Sequence, residues 1–386
     1  MEEVKARIYS GTLFGFFQTL MMAFAMLIPT FYFKSLGLSL AAYATLLSIG
    51  DIASFIMKPT LGWLTDRHGE RKFLMLGGIL FVVSLFLIGQ TTDLLIIAIL
   101  KIISGVASAL VFILILIYSL RLVKEKPERK IGTFGGVYNL GWVVGLSGLF
   151  LLGILSTVYP VKEAFYLILA VGIIWVLLMF RFAKHYESTV SVKLTFSHLK
   201  KIPALIVFKS MDLAMFSAFI FYLIYNASNT ALSLPKTTLV VIVETLLFAV
   251  SIYIVGRLST PLLRRYWVPL CITFHLLAAV TMLVAVMTNL YLLYFLVAIF
   301  IGVAGGFIDI WIYTRISEHY EPAEKGIIVG TLGWSYDLAT IMGAYVPVLM
   351  AFLGLNVFTA LFVFPVVMLL TYVIFVQAAR KTGLPG

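Results

Sequence analysis

The stretch GWLTDRHGERK, residues 62–72, puts Asp66, Arg67, Glu70, Arg71 and Lys72 within eleven positions, although the whole chain is only 12% charged. Apolar sequence flanks this knot on both sides, and the flanks decide the fold. Of the 386 residues, 62% are hydrophobic, more than a soluble core of this size can bury. They arrive in runs of about 20, the length at which an α-helix crosses about 30 Å of hydrocarbon. The runs are continuous and do not alternate apolar with polar, which excludes a membrane β-barrel. The sequence predicts an all-α membrane protein in which the knot links two spans.

Twelve transmembrane helices follow, at 8–32, 40–60, 73–91, 94–119, 131–155, 163–182, 204–227, 237–258, 267–287, 290–314, 327–352 and 356–377. With both termini cytoplasmic, 22 Lys and Arg fall on inner segments. Three (Lys34, Lys162 and Lys236) fall outside, and Lys58, Lys101 and Lys209 lie within spans. That bias sets the orientation by the positive-inside rule. It accounts for the net charge of +11 by topology, so no nucleic-acid partner is expected. The N-terminal MEEVKARIYSG has no small-residue cleavage site, and no removable signal peptide is expected. The expected location is the plasma membrane, with the lipid bilayer as surroundings and a monomer as the unit. The single cysteine, Cys271, excludes an internal disulfide and reads as a small core residue.

A polar segment at 183–203 divides the chain into 1–182 and 204–386. A shift of 194 lays Gly62, Leu64 and Arg71 over Gly256, Leu258 and Arg265. A shift of 195 lays Pro127, Lys130, Gly135 and Gly148 over Pro322, Lys325, Gly330 and Gly343. Seven matches at nearly one offset point to a duplication, two six-helix bundles with a site between them.

With this layout in hand, the chain resembles the major facilitator superfamily of secondary transporters. The family's loop between spans two and three runs Gly-x-x-x-Asp-Arg-x-Gly-x-Arg-Lys/Arg, and Gly62, Asp66, Arg67, Gly69, Arg71 and Lys72 match it in order and place. Glu70 departs from it, since a basic residue is commoner there. Other stretches are similar to the drug:proton antiporter branch: Pro29 and Ser35–Gly37 after span one, Lys101 four residues before Gly105, and Gly141, Gly145 and Gly148 in span five. Leu146 stands where that branch has proline. The resemblance implies alternating access, with Asp66 meeting the start of span eleven to hold an inner gate shut. Arg67, Arg71 and Lys72 serve either as gate residues or as topology anchors.

Charged groups within the membrane are costly and usually face a cavity or a partner. Asp51, Asp212, Glu244, Asp309 and Asp337 lie inside spans and are the candidates for proton coupling, because a carboxyl removed from water holds its proton more readily. A shift of 193 lays Asp51 over Glu244. The alternative for each is a satisfied ion pair. Lys101 reads either as a counter-ion or as the partner of an anionic substrate. Lys209 and Asp212, at i and i+3, could simply neutralise each other. Lys58, near the inner end of span two, is expected to snorkel, and His275 to be a hydrogen-bonded core residue. Substrate contacts are expected from Gln18, Lys101, Asn139, Tyr222, Tyr225, Asn226, Trp334 and Tyr336, an aromatic and polar set suited to an amphipathic or cationic solute. Gly141, Gly145 and Gly148 form a smooth helix strip for packing or for rocking, and Gly302, Gly305 and Gly306 in span ten read the same way.

The chain has no phosphate-binding loop and no metal-spaced Cys/His set. It reads as no enzyme and as needing no cofactor. The leading expectation is proton-coupled export of amphipathic organic compounds. Uptake or exchange of an organic anion through Lys101 is the second, and a receptor that transports nothing is the third.

Overall fold

The computed structural model describes residues 2–68, 70–121, 139–147, 161–183, 202–225, 234–258, 264–319 and 322–382. The first half supplies α1 (Glu2–Ser35), α2 (Leu40–His68), α3 (Glu70–Ile88), α4 (Leu94–Arg121), α5 (139–147) and α6 (Ala164–Ala183). The second half supplies α7 (Pro203–Tyr225), α8 (Leu234–Arg257), α9 (Trp267–Thr288), α10 (Tyr291–His319), α11 (Pro322–Phe352) and α12 (Ala360–Thr382). Eleven of these helices are long and apolar enough to cross a membrane. The short α5 belongs to the expected fifth span, and the rest of 131–155 lies outside the described residues. The all-α, many-span architecture is the one expected.

Local chemistry sets the helix ends. Asp93 Oδ1 accepts from the backbone N–H groups of Leu95 at 2.8 Å and Ile96 at 3.3 Å, which caps the start of α4. The left-handed Gly37 (φ 65°) follows α1, and Asn289 (φ 53°) follows α9, residues that tolerate this conformation best. Large apolar side chains such as Leu76, Ile79, Val83, Leu177 and Ile374 are exposed on α3, α6 and α12, as a hydrocarbon solvent requires.

Glycines set the closest helix crossings. A Cβ on Gly105 of α4 would overlap the carbonyl of Gly50 on α2. A Cβ on Gly302 of α10 would likewise strike the carbonyl of Glu244 on α8. Gly145 of α5 lies where a Cβ would stand 2.8 Å from that of Ala23 on α1. Gly343 of α11 meets Ser217 of α7 the same way, at 2.6 Å. The two halves thus repeat two close crossings, α2/α4 with α8/α10 and α1/α5 with α7/α11. Gly306 meets Ser251 in the α8/α10 contact.

The halves meet along α2 and α11. Tyr345 Oη donates to Thr45 Oγ1 at 3.2 Å, Trp334 Nε1 donates to the carbonyl of Phe55 at 3.1 Å, and Lys58 forms an ion pair with Asp337. Tyr43 adds a hydrogen bond from α2 to the carbonyl of Phe221 on α7, at 3.1 Å. Lys58 therefore does not snorkel. It is 3% exposed, because α2 continues ten residues beyond it to His68 and keeps it within the helix bundle.

Candidate functional site

A cavity of about 340 Å³ lies between the halves. Its apolar wall includes Met22, Met26, Phe81, Trp142, Phe216 and Phe248, and all five expected carboxylates line it together with Lys58, Lys101 and Lys209. Eight ionisable side chains in so small a space make its electrostatics the question to settle.

Two of the lysines are satisfied directly. Lys58 of α2 pairs with Asp337 of α11 and donates to the carbonyl of Gly333 at 2.7 Å, while Ser54 adds a hydrogen bond to Asp337. Lys209 of α7 pairs with Asp309 of α10, stands 3.9 Å from Asp212 Oδ2, and lies 5.4 Å from the centre of the Tyr336 ring. The expected i, i+3 neutralisation of Lys209 by Asp212 is thus the weaker contact, since α10 brings a closer carboxylate. A buried ion pair of this kind repays its desolvation only when both partners are present with good geometry.

The α2/α4 crossing places Asp51 in the field of Lys101, whose backbone is drawn close by Gly50. The two form no direct ion pair among the described residues. At the α8/α10 crossing, Glu244 is 3% exposed, and the Thr245 hydroxyl donates to its Oε2 at 3.0 Å. No lysine or arginine pairs with Glu244 among the described residues. Asp212 looks away from the cavity as well as into it: its Oδ1 lies 3.4 Å from Nε2 of His275 on α9, and His275 Nδ1 lies 3.4 Å from Cys271 Sγ.

Of the expected substrate contacts, Lys101, Asn139 and Tyr336 line the cavity. Gln18, Tyr222 and Trp334 are buried elsewhere. Tyr222 Oη donates to the carbonyl of Ala344, and Trp334 serves the α2–α11 contact. Tyr225 packs on Tyr43 with ring centres 5.0 Å apart and lies under Lys34 Nζ at 4.5 Å. Asn226 lies outside the described residues. Among the expected gate residues, Gly69 and Gly148 also lie outside them, and of Gly62, Asp66 and Arg67 only the helical backbone is described. Arg71 and Lys72 are exposed at the start of α3. Gly141 and Gly145 pack on α1. Sequence reasoning passed over Lys58, Lys209, Trp142, Phe216 and Tyr313 as lining groups. The two lysines carried a signal, since a cation far inside an apolar run needs a partner.

The sequence profile of the Major Facilitator Superfamily matches residues 10–344. No curated protein matches the chain. Among solved structures, the human organic anion transporter MFSD10 (TETRAN) aligns with a TM-score of 0.71 at 14% identity, over 95% of this chain and 98% of that one. The MFS proton:xylose symporter XylE bound to 6-bromo-6-deoxy-D-glucose aligns with a TM-score of 0.67 at 14% identity, over 97% and 96%. A bacterial homologue of the iron transporter ferroportin, in an outward-facing state, aligns with a TM-score of 0.71 at 13% identity, over 96% and 99%.

Proposed function

The chain belongs to the Major Facilitator Superfamily, and we propose that this transporter exports amphipathic organic compounds in exchange for protons. The observation that carries the proposal is Glu244, a buried acid on the cavity wall with a hydroxyl partner and, among the described residues, no cationic one. A bare carboxylate is the costliest charge to hold in such a place. A proton or a cationic solute removes that cost, and only one of the two is needed at a time. Competition of this kind couples two fluxes in opposite directions.

The lining supports the solute class. Rings and thioethers give an amphipathic body an apolar seat, and carboxyl groups outnumber lysines on the wall five to three. The 22-to-3 distribution of cations supports cytoplasmic termini, and the reading places the chain in the plasma membrane. We extend the reading to a monomer built of bundles 1–182 and 204–386 joined by 183–203, with the loop at 62–72 as the inner gate.

In proteoliposomes, a pH gradient is expected to drive a lipophilic cation such as tetraphenylphosphonium against its concentration. Glu244→Gln is expected to lower gradient-driven accumulation at least tenfold while leaving downhill flux. Undiminished accumulation in Glu244→Gln would remove the proposal.

A second reading rests on Lys101, the cavity lysine that makes no direct ion pair among the described residues. It could hold an organic anion, the solute class named for the human MFSD10 structure, which shares this fold. Lys101→Met would then abolish anion binding and spare cation flux.

A further inference from the structure

Beside the cavity, the second half holds a constellation that solute exchange does not use. Cys271 and His275 stand at i and i+4 on α9, on one face of that helix, and both are fully buried. Asp212 approaches them from α7. One ligand atom from each of the three lies within 4.8 Å of the other two.

The geometry points to a site for a divalent transition metal of the zinc class, held by Asp212, Cys271 and His275. Four observations converge on it. His275 Nε2 is buried and makes no hydrogen bond, although Asp212 Oδ1 lies only 3.4 Å away. That separation is long for a hydrogen bond, while two ligands on one tetrahedral ion, with bonds of about 2.1 Å, stand about 3.4 Å apart. The donor set is thiolate, imidazole and carboxylate, the borderline-soft mixture that zinc-class ions take. All three ligand atoms already lie within 4.8 Å of one another, and rotation about the cysteine side chain moves Sγ toward a shared ion.

The surroundings favour a cation. Asp212, Asp309 and Glu244 share the region with one lysine, Lys209, so carboxyl groups outnumber the lysine three to one. There is also a route in, because Asp212 lines the cavity and a hydrated ion arriving there meets its carboxylate first. The thiol must lose its proton on ligation, and the cavity water receives it.

The test uses the purified full-length chain in detergent, stripped with a chelator and titrated with Co²⁺ and then Zn²⁺. One Co²⁺ per chain is expected, with a near-ultraviolet thiolate-to-cobalt charge-transfer band that Zn²⁺ abolishes. Cys271→Ser is expected to lose the band. His275→Gln is expected to weaken binding at least tenfold. Absence of both the band and stoichiometric metal in the parent protein would overturn the site. So would metal bound equally well by Cys271→Ser and His275→Gln. If those variants do not fold, the parent spectrum decides alone, since Cys271 is the single cysteine of the chain and the band requires a thiolate.

Discussion

The α2/α4 and α8/α10 crossings share one steric plan and differ in charge. In each, a glycine on the later helix (Gly105 or Gly302) sits against the backbone of the earlier one beside a cavity acid, Asp51 or Glu244. Four residues before Gly105 stands Lys101, and four residues before Gly302 stands Ala298. The first acid therefore lies in a lysine's field, and the second has, among the described residues, a hydroxyl partner in Thr245 and no lysine or arginine pair. The backbone contact recurs in both halves, where a side chain would spoil it, while the charges beside it differ. The comparison teaches that near-symmetric packing can hold an asymmetric electrostatic device.

The steric half of the comparison breaks with the largest effect. Gly105→Leu and Gly302→Leu each push a side chain into a facing backbone, and overpacking of this kind costs about 3 kcal/mol or more. Both variants are expected to lose the monodisperse folded peak in size-exclusion chromatography. A normal peak from either would show that the crossing is not held by close backbone approach.

The electrostatic half breaks more gently. Lys101→Met leaves Asp51 with only the weaker field of Lys58 among the described residues. Because the two groups share a field and form no direct pair, a fall of a few degrees in the thermal midpoint is expected, corresponding to about 1 kcal/mol. Lys101→Met/Asp51→Asn is expected to recover most of it. Full additivity of the two changes would show that Lys101 and Asp51 do not sense each other.

The helices and their number were legible in the sequence because a span must be long and apolar whatever surrounds it. All five intramembrane acids line the cavity, since a charge within a bilayer has few other places to go. Their partners were not legible. Lys58 read as a snorkelling end because its apolar run stops near it, yet α2 runs on to His68 and α11 delivers Asp337. Lys209 had Asp212 one turn away on its own helix, and tertiary packing set Asp309 closer. The aromatic contacts were the hardest to place. Aromatic side chains stud α7 along its length, so an aromatic residue alone does not mark which side meets the cavity, and Tyr222 turns into the core while Tyr336 lines the cavity. The Asp212–His275 proximity joins residues on different helices and left no trace in spacing.

The central claim is that Glu244, and not Asp51, exchanges a proton for the solute. Proton release on substrate binding, measured by a pH indicator in weakly buffered detergent solution, tests it directly. With a saturating lipophilic cation, the parent and Asp51→Asn are expected to release about one proton per chain bound, and Glu244→Gln none. Equal release from Glu244→Gln and the parent would contradict the account.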